Sequence, residues 1–284
     1  MRRNSRAAAG VSLRLLAVTV TMALTLPLAP AAHAGSSSLA TPVYDYMATR
    51  RGTIAVAVYD LVSRQQWWWH ISVRSSTASI VKVDILAALL RRNGTLSASQ
   101  RTLAAAMIER SDNTGATTLY RQIGGATGLR AFNSVAGLTM TTPSSSWGLT
   151  RTSSLDQVRL LRRLAEPNSV LTSSQRSYEL ALMAQVVSSQ RWGASGGVPA
   201  GVTVSLKNGW LPLSAARGGG WQVNSIGYVH GLGRRYVIAV LTHSPSFSYG
   251  VATISRISAI VWAHMARATA AAPTVASAAP AAAA

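Results

Sequence analysis

A chain of 284 residues with 48% hydrophobic side chains can bury a large core, which suits one sizeable domain or two closely joined lobes and confines disorder to the ends. It has no cysteine, which excludes a disulfide framework and a lipid carried on cysteine. The formal charge of +19 favours anionic partners, but the arginines are scattered through an alanine-rich sequence without a basic block interleaved with aromatics, so the charge does not mark a nucleic-acid interface.

The first 35 residues, "MRRNSRAAAGVSLRLLAVTVTMALTLPLAPAAHAG", have a basic start, an apolar run and the small-x-small sequence Ala32-His33-Ala34. This is the three-part pattern of a secretory signal, expected over residues 1–34. Cleavage would remove Arg2, Arg3, Arg6 and Arg14, lowering the charge from +19 to +15. No later stretch is long and apolar enough to span a bilayer. The mature protein is therefore expected outside the cell, with charge-mediated contact with anionic wall polymers as one way of staying there.

Residues 35–42 read as a polar linker, and 43–268 as the folded domain. "GTIAVAVYDL" and "QQWWWHI" read as strands, the second with Trp67 and Trp69 on one face and Trp68 and His70 on the other. Helical periodicity follows over 79–92, 97–110, 113–123, 127–136, 154–165 and 173–187. "VTVSLKNGW", "WQVNSIGYVHG" and "RRYVIAVLTH" return to strands, a last helix covers 249–267, and residues 269–284 form a low-complexity Ala/Pro tail. Strands at both ends of the sequence and helices between them imply an α+β fold: an antiparallel sheet with flanking helices and an inserted all-helical lobe.

Of 27 basic residues, only Lys82 and Lys207 are lysine. An arginine keeps its proton near neutral pH, whereas a lysine amine beside a cation or in a dry site can release it. In "STASIVKVD", Ser79 and Lys82 are three residues apart at a helix start and share one face. Ser111-Asp112-Asn113 follows a helix, and Lys207-Asn208-Gly209 ends a strand. No histidine pair has metal-ligand spacing with a carboxylate, so neither a metal nor another cofactor is expected.

Ser-x-x-Lys, Ser-Asp-Asn and Lys-x-Gly in this order, within this succession of elements, resemble the class A β-lactamases of the penicillin-recognising serine acyl-enzymes, over about Val43 to Met265. The resemblance implies that Ser79 is the nucleophile, Lys82 its base and Ser111 the proton relay to the leaving nitrogen. It further implies that Asn113 holds the substrate amide and Asp112 fixes its loop from behind. Lys207, Asn208, Gly209 and Trp210 form the substrate side, with the N–H groups of Ser79 and Trp210 as oxyanion hole and the Lys207 cation helping to keep Lys82 neutral. The substrate would be a β-lactam or an acyl-D-Ala-D-Ala-like peptide.

The sequence departs from that family in three places. Asn208 replaces the usual Thr or Ser. The interval between Ser79 and Ser111 is short, which predicts a smaller helical lobe and a more open cleft. The segment "GLTMTTPSSSWGLTRTSS", where the family's Ω loop carries its deacylating glutamate, has no carboxylate. Of the three glutamates, Glu166 reads as a helix-end residue, and Glu109 and Glu179 fall in other helices. Acylation without fast deacylation is the expectation, with a D,D-peptidase-like protein or a non-catalytic wall binder as alternatives.

Overall fold

The computed structural model describes residues 37–270, with side chains over 39–265. The expected signal lies outside the described residues, as does the tail beyond Ala270. In chain order the elements are α1 (Ser37–Ala48), β1 (Thr53–Asp60), β2 (Gln66–Trp69), β3 (Ser75–Ser76), α2 (Val81–Asn93), α3 (Ala98–Glu109), α4 (Asn113–Gln122), α5 (Gly125–Ala136) and β4 (Arg151–Thr152). They continue with α6 (Ser154–Ala165), α7 (Ser173–Ala184), β5 (Thr203–Pro212), β6 (Trp221–Gly231), β7 (Arg234–Ser244) and α8 (Phe247–Ala270).

Five strands form one antiparallel sheet in the order β2-β1-β7-β6-β5. The early strand β1 thus pairs with the last strand, Thr53 opposite His243 and Asp60 opposite Tyr236. Helices α2 to α7 lie between the two strand groups in sequence, as the pattern of elements predicts. One apolar core fills the space between sheet and helices, and a second lies on the opposite sheet face under α1 and α8.

The expected linker over 35–42 is corrected: from Ser37 onward the chain is helical. Leu39, Val43 and Met47 recur every four residues, form one stripe and are buried in the second core beside Ile257 and Val261 of α8. That burial outweighs the polar composition of the first turn. The helix α8 likewise extends two residues into the expected tail.

Capping sets several boundaries. Ser97 and Thr172 each make a reciprocal capping box with the glutamine three residues on, and Ser153 caps α6 through the Asp156 N–H. Helix α2 is the centre of the fold, since every residue from Val81 to Leu90 is buried. Those residues include Lys82 and Asp84.

The Asp84 carboxyl has no hydrogen-bond partner among the described residues, nor does that of Glu179 on α7. Burial pushes Asp84 up to about 8, and burial together with the neighbouring Asp84 raises Glu179 well above the usual carboxylate range. Both are therefore neutral acids in the folded protein at neutral pH. The folded state holds protons that the unfolded chain releases above its ordinary carboxylate values, so this contribution to stability is present at low pH and is lost as pH rises toward 8. Between about pH 5 and 7 the melting temperature of the wild type should fall more steeply than that of Asp84→Asn, measured by circular dichroism. Parallel curves would contradict a neutral buried Asp84.

Candidate active site

Ser79 occupies a single 3-10 turn, Ala78–Ile80, that runs directly into α2. Ala78 has φ 47°, in the left-handed region, so the turn is strained one residue before the serine. Three contacts hold it. The Thr77 N–H donates to the Thr150 carbonyl at 2.8 Å. The Asn224 amide, buried on β6, donates to the carbonyls of Ser76 at 2.8 Å and Thr77 at 3.0 Å, and is itself oriented by Gln222, which donates to Asn224 Oδ1 at 3.1 Å. The third contact is the close approach of β5. A Cβ on Gly209 would stand 2.6 Å from the Ser79 nitrogen, 2.7 Å from that of Ile80 and 2.8 Å from the Thr77 oxygen.

Lys82, three residues on, is fully buried. Its Nζ donates to the Ser111 carbonyl at 2.6 Å, to Ser111 Oγ at 3.0 Å and to Asn113 Oδ1 at 2.7 Å, with the Trp147 ring centroid 5.0 Å away. Three acceptors match the three donors of an ammonium, so this is the arrangement of a charged, resting Lys82. A neutral amine would give up one of these bonds and gain a lone pair. Burial lowers Lys82 to about 8, against the opposing pull of the Asp112 carboxylate. The Ser79 hydroxyl makes no hydrogen bond among the described residues, and Ser79 lines the cleft.

Ser111 and Asn113 are brought to Lys82 by the junction of α3 and α4. Ser111 has φ 60°, a second left-handed residue beside the amine. Asp112 caps α4, accepting the Gly115 N–H at 2.5 Å, and so fixes that junction from the helix side.

On β5, Lys207 is fully buried and donates to the Asn208 carbonyl at 3.1 Å. Burial, and after it the charge of Lys82, lowers Lys207 to about 7. The expected contribution of the Lys207 cation to neutralising Lys82 is not among the causes that act on that amine. Burial is the main cause at both lysines, and Lys207 is the one that holds its proton less firmly.

Asn208 is also corrected. Successive strand residues face opposite ways, and its buried amide donates to the Gln190 carbonyl at 2.7 Å and the Trp192 carbonyl at 3.0 Å. It anchors the loop behind β5 instead of facing a substrate. Trp210 and Leu211, with Ala78, Ser79, Asn113 and Trp147, line a cleft of about 490 Å³.

The segment 139–150 brings to this cleft Ser145, Ser146, Gly148 and Leu149 besides Trp147, and no carboxylate lines it. Trp147 is pinned by its Nε1–H, which donates to Thr117 Oγ1 at 3.2 Å. Glu166 is paired with Arg64 and Arg162 at the end of α6, in agreement with its reading as a helix-end residue. Two participants escaped the sequence reading, Asn224 and Trp147. The first had a signal, a polar residue inside the otherwise apolar run of β6. The second lies in a loop where no periodicity points to it.

The family model described as "Beta-lactamase enzyme family" matches residues 92–265. That stretch contains Ser111, Asn113 and Lys207, while Ser79 and Lys82 precede it. A protein named "Putative lipoprotein LppW" from Mycobacterium tuberculosis is 29% identical over 241 residues, which span 79% of this chain and 75% of that protein; its Mycobacterium bovis counterpart matches equally. The TLA-1 extended-spectrum β-lactamase superposes with TM-score 0.71 at 20% identity, over 81% of this chain and 99% of its own. A class A β-lactamase from Mycobacterium abscessus gives TM-score 0.67 at 24% identity, over 82% and 100%. These structures share the fold of this chain.

The contact of Gly209 with the Ser79 turn is directly testable. Gly209→Ala should destabilise the protein by about 1–3 kcal/mol in urea unfolding, the usual cost of overpacking. Gly148→Ala, whose new Cβ would meet nothing nearer than 3.9 Å, should change stability by less than about 0.5 kcal/mol. Equal effects would show that β5 does not press on the turn.

Proposed function

Because the chain belongs to the β-lactamase enzyme family, we propose that it is an exported serine hydrolase that forms an acyl-enzyme at Ser79 and releases the acyl group slowly. The observation that carries this reading is Lys82. Its buried Nζ, one helical turn after Ser79, is within hydrogen-bond reach of Ser111 Oγ and Asn113 Oδ1.

In the proposed reaction, Lys82 loses its proton and its lone pair takes the proton of Ser79 Oγ as that oxygen attacks the carbonyl carbon of a β-lactam or acyl-D-Ala-D-Ala-like bond. Negative charge then develops on the carbonyl oxygen, where the N–H groups of Ser79 and Trp210 would receive it. Collapse breaks the carbon–nitrogen bond, and the departing nitrogen takes a proton through Ser111, resupplied from Lys82. Asn113 orients the substrate amide, and Lys207 attracts the substrate carboxylate. The product of this half-reaction is an ester on Ser79.

Hydrolysis of that ester needs a base for water. The absence of a carboxylate from the cleft lining supports slow release, and Trp147 covers Lys82 from the side of the loop that carries a glutamate in the resembled enzymes. Export is supported by the signal-like leader and by the name of the mycobacterial relative, a lipoprotein. Attachment through a lipidated cysteine does not apply here, since this sequence contains no cysteine.

Mixing the protein with a chromogenic cephalosporin should give a burst of about one equivalent followed by slow turnover, and a fluorescent penicillin should label the wild type but not Ser79→Ala. Steady turnover without a burst would reveal a deacylating group, and the absence of Ser79-dependent label would refute acyl transfer in favour of a binding role. The pH dependence follows from the two amines. Attack needs Lys82 uncharged, so the labelling rate rises as pH climbs toward about 8, while recruitment of a substrate carboxylate needs Lys207 charged and weakens above about 7. The apparent second-order labelling rate should therefore peak between these values. A profile still rising above about pH 9 would remove Lys207 from carboxylate recognition.

A further inference from the structure

A second cavity, of about 470 Å³, opens beyond the far end of β5. Arg74, Arg151 and Arg217 line it together with Ser75, Ser76 and Leu213, and no aspartate or glutamate does. The ion pairs among the described residues use other arginines: Arg64, Arg110, Arg159 and Arg162. Arg74 and Arg151 are held in place, Arg74 by a bond to Thr142 Oγ1 and Arg151 by donating to the Arg74 carbonyl at 2.5 Å. The Nε–H of Arg74 is buried and has no partner. Arg217, on the turn after β5, is exposed and its guanidinium makes no bond within the described protein.

The cavity adjoins the cleft at Ser79. Leu149 lines both, Ser76 is three residues before Ser79, and the chain runs from Trp210 and Leu211 in the cleft through Pro212, the last residue of β5, to Leu213 at the cavity. A substrate extended along β5 from Ser79 would therefore carry its far end into a cavity lined by three arginines and no carboxylate. Guanidiniums bind planar carboxylates in paired, charge-assisted contacts, more strongly than neutral acceptors.

We propose that this cavity is an acyl-chain subsite for a carboxylate, and that the protein selects acyl donors whose acyl group ends in a negative charge several atoms from the reacting carbonyl. The orientation of the chain rests on the acyl-transfer reading above; the affinity of the cavity for a carboxylate does not. The arms of the test keep the two apart. A cephalosporin bearing a glutaryl side chain is compared with the same compound whose terminal carboxylate is converted to the primary amide.

Calorimetric titration of Ser79→Ala, which cannot be acylated, should show the glutaryl compound binding about tenfold or more tightly than the amide, the scale of one good charge-assisted contact. The preference should shrink with added salt. Arg217→Gln removes a charge without breaking any bond within the described protein, and in the Ser79→Ala background it should lower the ratio severalfold while leaving amide binding unchanged. Arg121→Gln, an equal change of net charge on α4, should leave the ratio intact. Equal binding of the two compounds, or a preference that survives Arg217→Gln and Arg151→Gln together, would overturn the proposal. A charge preference in Ser79→Ala combined with no labelling of the wild type would keep the subsite and refute acyl transfer.

Discussion

Two lysine amines, one on α2 and one on β5, have been taken entirely out of water, and much of the local structure answers that single constraint. Lys82 is tolerable in α2 because the junction of α3 and α4 turns a carbonyl, a hydroxyl and an amide oxygen toward it. Lys207 has one carbonyl, supplied by its own strand. The inequality matters: the amine with three acceptors keeps its proton longer than the one with a single carbonyl.

The same seam between helix and sheet holds Ser79. The turn at Ser79 is not stabilised by its own backbone alone, since Ala78 lies in a disfavoured conformation. It is gripped by Asn224 from β6, by Thr150 from the loop and by the bare backbone of Gly209 from β5. Rigidity is thus bought from three separate segments, and the serine hydroxyl itself is left uncommitted. On the fourth side stands an indole, that of Trp147, held by Thr117 and lying beside the Lys82 amine.

Much of this could be read from residue order. The bounds of α6 and β6 coincide with those that periodicity predicts, and the rarity of lysine singled out the two amines that the fold buries. Asn208 is instructive, because the two-residue period of a strand puts it on the face opposite Lys207, and its amide bonds lie behind β5, away from where the motif alone would have it. The helical stripe of Leu39, Val43 and Met47 was hidden by its serine-rich start, since its reason is a partner helix more than two hundred residues away. Asn224 and the cavity arginines were beyond reach for a related cause. Their neighbours come from distant strands and loops, and only the folded register assembles them.

The strand order has one more consequence. With β1 paired on one side to β2 and on the other to β7, the middle of the sheet is closed by residues at opposite ends of the domain. Local helices can form early, but a growing or partly threaded chain has no central sheet until Arg234–Ser244 has emerged. Before then β1 presents an unfilled edge of apolar residues, Ile54 to Tyr59, the kind of strand that seeks another chain. Long-range closure therefore makes folding a late, all-or-none event and gives any carrier that keeps the chain extended a natural window in which to act.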